Sequence, residues 1–119
     1  MKFLTMVKTL NPEVASNPPG ELMQAIVQLG MEAGIRMTET GGMALAGTVT
    51  THKGQMVTDG PYAEAKEMLG GYAIYDLPTE AEIVHWTERF VDLHRKLWPI
   101  WDGEVTILRL DAFNMAMAG

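Results

Sequence analysis

The chain opens with Lys2 to Lys8, KFLTMVK, where Phe3, Leu4, Met6 and Val7 put apolar side chains on both faces of an extended segment. A strand apolar on two faces belongs in the middle of a sheet. Three prolines in NPEVASNPPG then exclude regular pairing, so this stretch is read as a loop. From Glu21 to Ala33 the period changes. Leu22, Ala25, Ile26, Leu29 and Ala33 fall on one stripe of a helix, and Gly34 suits the left-handed residue just past its end. Ile35 to Glu39 is a second strand, expected to stop at Gly41 and Gly42. Val49 to Thr51 and Gln55 to Thr58 read as a hairpin, with Lys53-Gly54 as its tight turn. Tyr72 to Leu77 is a further strand, ended by Pro78. Thr79 and Glu82 have capping-box spacing, so a helix is predicted from about Glu80 to Leu97, ending before Pro99. Its apolar arc is Ile83, Trp86, Phe90, Leu93 and Leu97. Gly103 turns the chain into a last strand, Glu104 to Leu110.

This order is strand, helix, strand, inserted hairpin, strand, helix, strand. It predicts an α+β fold of the ferredoxin-like βαββαβ type, with two helices on one face of an antiparallel sheet. The first strand, Tyr72 to Leu77 and Val105 to Leu110 are apolar on both sides, so the helix-free face also needs cover. A second copy of the sheet is the simplest cover, and a homodimer is expected. Residues 1–111 read as a single domain and 112–119 as a C-terminal tail.

Composition narrows the function classes. The chain has 119 residues, one domain's worth, and a net charge of −6, so it carries no basic footprint for nucleic acid or anionic lipid. Such acidity ordinarily serves solubility. With no cysteine, thiolate chemistry, disulfides and Cys-based metal sites are excluded. The start, MKFLTMVKTLNPE, is too short and polar for a signal peptide, and no apolar run approaches a membrane span; a cytoplasmic protein without membrane contacts is expected. The ten methionines serve either as core filler or as an adaptable binding surface.

Candidate chemistry centres on TDGPYAEAKEMLGGY, Thr58 to Tyr72. Asp59 is either an acid held at the mouth of a cavity by Gly60 and Pro61, or the cap of a tight turn. Glu64, Lys66 and Glu67, on a short helix expected from Ala63 to Met68, either point into a cleft or form a solvated face. Gly70-Gly71 permits a tight bend or the close approach of a ligand. His52 and His85 are expected at the surface. His94 falls on the inward arc of its helix and needs a hydrogen-bond partner, for which Asp59 or Asp76 is a candidate. It is either a satisfied core histidine or half of a proton-moving pair. Trp98 and Trp101 either roof a pocket or fill the end of the helix. The histidines lack metal-ligand spacing, and no phosphate loop or nucleophile elbow is present, so no metal and no cofactor are expected.

VTDGPYAEAKEMLGGYAIYDL resembles the signature of the YCII-related, or DGPF-domain, family, with Tyr62 in place of the usual phenylalanine. The opening MKFLTMVK, the Gly34 to Gly42 region, the closing GEVTILRL and a long second helix, WTERFVDLHRKLWPIWDGE, also fit. The resemblance implies a dimeric α/β barrel in which two sheets face one another. Family relatives include a dehydrochlorinase that acts on a hydroxylated aromatic ring through a His–Asp pair, and many members sit beside sigma-factor genes. The acid carries over to Asp59. The histidine does not, because the first helix has none; His94 takes its role only if the fold brings it to Asp59. The resemblance thus implies a cofactor-independent small-molecule enzyme of lyase or isomerase type. Asp59 and His94 would be catalytic, and Gly60, Pro61, Tyr62, Glu64, Lys66 and Trp101 would line the ligand site near the dimer seam. A non-catalytic dimer that binds a ligand or serves regulation is the alternative.

Overall fold

The computed structural model describes residues 1–64 and 68–113. Strand β1 (Lys2–Thr9) leads through the proline-rich loop to helix α1 (Gly20–Ala33). Strands β2 (Met37–Ala44), β3 (Thr48–His52), β4 (Gln55–Asp59) and β5 (Met68–Asp76) follow, then helix α2 (Glu80–Leu97) and strand β6 (Gly103–Leu110). The main sheet has the order β2-β5-β1-β6, and β3 and β4 form a separate two-stranded hairpin. The chain is therefore α+β and ferredoxin-like, with both helices on one face of the four-stranded sheet.

Alternation along β1 sorts the two faces. Phe3 pairs with Tyr75 on the helix side, and Leu4 pairs with Ile74 and Leu108 on the other. Phe3, Tyr75 and Leu77 bury against Ala33 of α1 and Ile83 of α2. At the far end Ala15, Leu22, Trp98 and Trp101 form a second cluster. The helix-free face carries Leu4, Met6, Tyr72 and Ile74 half-buried, with Leu108 39% exposed, so its centre is apolar and open in a single chain, with Glu39 and Thr106 on the same face.

Helix α2 starts as its spacing dictates: the Thr79 hydroxyl accepts from the Glu82 N–H at 3.2 Å. Lys53 and Gly54 both take positive φ in the hairpin turn, the pattern of a type I′ connection. Three expectations need correction. A 3-10 turn at Gly34–Arg36 precedes β2, so the second strand starts at Met37 and not at Ile35. That strand also runs through Gly41 and Gly42 to Ala44 instead of stopping, because Gly41 leaves room for the Tyr72 ring of β5 to lie against it, a Cβ there meeting the ring at 3.0 Å. Likewise β5 begins at Met68 and includes Gly70-Gly71. Gly70 takes φ +128°, and a side chain there would run into the Val7 carbonyl. The short helix expected from Ala63 to Met68 is absent at its described ends. Ala63 and Glu64 form a bend and Met68 is already strand, while residues 65–67 lie outside the described residues.

Candidate functional site

Asp59 ends β4 and is exposed. The chain turns at Gly60, whose peptide bond to Pro61 is cis. Tyr62 then folds back. Its N–H donates to the Ala46 carbonyl at 2.8 Å, and its hydroxyl donates to Asp59 Oδ2 at 2.8 Å. That bond to the carboxylate, more than burial, raises the Tyr62 pKa, so the phenol stays protonated and remains a donor. The turn thus presents a carboxylate with a phenol fixed beside it. Gly60, Pro61 and Glu64 are exposed in the same segment, and Lys66 lies outside the described residues.

His94 is on the inward face of α2, 5% exposed. Its Nδ1 lies 2.9 Å from the Phe90 carbonyl one turn back. A carbonyl only accepts, so Nδ1 carries the hydrogen and Nε2 the lone pair. The ring packs between Phe90 and Trp101, at centroid distances of 4.5 and 4.3 Å. Burial lowers its pKa, with the Phe90 bond opposing the shift, which leaves the imidazole neutral around pH 7. Neither acid considered from the sequence is the partner seen here. Asp59 holds Tyr62, and Asp76 lies 3.6 Å from the amino terminus. The helix's own carbonyl, four residues back, serves instead.

Trp101 is buried beside Trp98, the rings stacked at 6.3 Å and 14°, and its indole N–H donates to Thr9 Oγ1 at 2.9 Å. A side chain at Gly103 would overlap the Trp101 ring, so the residue that turns the chain into β6 also makes room for the indole. Among the described residues no group of three or more His, Cys, Asp or Glu side chains is placed to hold a metal ion.

A chamber the sequence did not disclose lies between the helices and the sheet, with a volume of about 290 Å³. Met23, Ile26 and Leu29 of α1, Phe90 of α2, and Val7 and Tyr75 of the sheet give it an apolar wall. Among the described residues no charged side chain lines it. Its polar groups are hydroxyls. Thr5 donates to the Ala73 carbonyl at 3.3 Å and Thr40 to the Tyr72 carbonyl at 2.9 Å, whereas Thr87 Oγ1 is buried with no partner. Burial also raises the Tyr75 pKa, keeping that phenol neutral. One sequence signal pointed here: Thr87 interrupts the inward stripe between Ile83 and Phe90.

The sequence matches the family model for the YCII-related domain over residues 1–91. No curated protein matches it. Among solved structures, it resembles the 5-chloro-2-hydroxyhydroquinone dehydrochlorinase TftG of Burkholderia phenoliruptrix AC1100, in complex with 2,5-dihydroxybenzoquinone. The TM-score is 0.55 at 15% identity, covering 97% of this chain and 98% of that one. It also resembles the de novo designed protein Foldit4, with a TM-score of 0.52 at 10% identity over 93% of this chain and 100% of that one. At these identities the likeness is one of fold.

Proposed function

Because this chain belongs to the YCII-related domain family, we propose that it is a small-molecule enzyme of the lyase or isomerase type, working as a homodimer with Asp59 as its base. The observation that carries this reading is the exposed carboxylate of Asp59 with the Tyr62 hydroxyl 2.8 Å away. An acceptor of protons and a neutral donor side by side are the two parts an acid–base step needs. In this reading the base removes a proton from the substrate and the phenol stabilises the oxygen that gains charge. His94 is buried, neutral and bonded to its own helix, so within one chain it is not the base's partner. A second sheet closing over the helix-free face would build a seam beside the hairpin turn. The solved relative's name supplies the first compounds to try, chlorinated hydroquinones. In the Asp59→Asn variant turnover should vanish while the melting temperature stays within a few degrees of the parent. Full turnover in that variant would dismiss the assignment.

The uncharged lining of the chamber favours a second reading, a dimer that binds a ligand without transforming it. It expects a rise in melting temperature with some member of a compound panel and no turnover of any.

A further inference from the structure

We infer that the chamber between the helices and the sheet takes a neutral, mainly apolar molecule bearing one hydrogen-bond acceptor, and that Thr87 selects for that acceptor. The inference rests on the reading that the protein takes up a small molecule, and not on Asp59 as a base. Three observations carry it.

The first is that, among the described residues, the lining holds no charged side chain. An ion placed there would shed its water and meet no countercharge, which is prohibitive without pairing. The second is size. At about 290 Å³ the space sits at the small end of ligand pockets, room for one modest ring system and not for an extended chain. Phe90 and Tyr75 offer aromatic surface to such a ring.

The third is Thr87. It lines the chamber, and its Oγ1 is buried with no hydrogen-bond partner. A helical threonine ordinarily returns its hydroxyl to the carbonyl four residues back, here that of Ile83, and this one does not. Valine has nearly the same shape without the cost of an unpaired hydroxyl, so the empty protein gains nothing from threonine. The other threonines of the lining have committed their protons, Thr5 to Ala73 and Thr40 to Tyr72, and keep only lone pairs. Thr87 has its proton free. Threonine in a helix has two χ1 wells, and the change of well moves the hydroxyl toward an acceptor on a bound molecule.

Binding is tested on the full chain by NMR titration, following the methyl groups of Val7, Ile26 and Leu29. The probes are acetophenone, which is neutral with one acceptor, ethylbenzene, of the same shape without it, and benzoate, an anion. Acetophenone should move these methyls and benzoate should not. Thr87→Val should weaken acetophenone about tenfold, the worth of one hydrogen bond. The same variant should not weaken ethylbenzene and should raise the melting temperature of the empty protein. Thr87→Ser, which keeps the hydroxyl, should bind acetophenone like the parent. Unchanged acetophenone affinity in Thr87→Val, benzoate binding as tight as acetophenone, or no shift with either neutral probe would each overturn the inference. These shifts are read without turnover, so inactivity of Asp59 would sink the catalytic reading alone.

Discussion

His94 shows how far one residue's role follows from its position. Its spacing with Ile83, Phe90 and Leu97 marks it as inward, and it is buried. Its partner was not legible, because a helix always offers its own carbonyls and sequence spacing does not favour them over a distant acid. The energetic consequence is a pH effect. The folded chain holds His94 below its ordinary value of about 6.5. Between that lowered value and 6.5 the unfolded chain therefore binds more protons, and stability falls as the pH drops through this window. Chemical denaturation at pH 7.5 and pH 5.5 should show this loss. His94→Phe should be less stable at pH 7.5, having lost the bond to Phe90, yet show a smaller drop between the two pH values. An unchanged slope would contradict the assignment. Asp59 is the mirror case. Its turn was plain from Asp-Gly-Pro, but the Tyr62 hydroxyl beside it depends on the chain folding back onto Ala46, a contact across the hairpin base.

At the scale of elements, the sequence was most informative where a local rule acts alone. The helix α2 boundaries and the Lys53-Gly54 turn follow from capping and from turn geometry. Removing the cap with Thr79→Ala should cost about 1 kcal/mol, a fall of roughly 4 °C in melting temperature for a domain of this size. The sequence was least informative where glycine acts between elements. Gly41 read as a strand stop and Gly70 as a tight bend or a point of close ligand approach, yet both sit inside strands because a neighbour occupies the space a side chain would take. Gly103→Ala tests this idea most directly. Its new methyl meets the buried Trp101 ring, and overpacking of this kind costs about 1–3 kcal/mol. Thermal unfolding with Trp fluorescence, which reports the displaced indole, would measure it.

For the whole molecule, the two-sided apolar strands announced a sheet in need of cover, and the centre of the helix-free face is apolar and open in one chain. The proposed cover is a second copy. Sedimentation should give twice the chain mass at micromolar concentration, and Leu108→Glu, on that face beside Leu4, should halve it. A mass of one chain for the parent would rule out the homodimer. The helix–sheet chamber was scarcely legible, since its wall is drawn from α1, α2 and the sheet at once and the one local sign of it is Thr87 in the inward stripe of α2. Among the described residues the β3–β4 hairpin pairs only with itself, and all ten of its residues are exposed, including Val49, Met56 and Val57. Amides that depend on so little tertiary support exchange with solvent long before the main sheet opens. The candidate base therefore rides at the root of a loosely moored ribbon, and whatever clasps that ribbon also decides when the carboxylate is aimed.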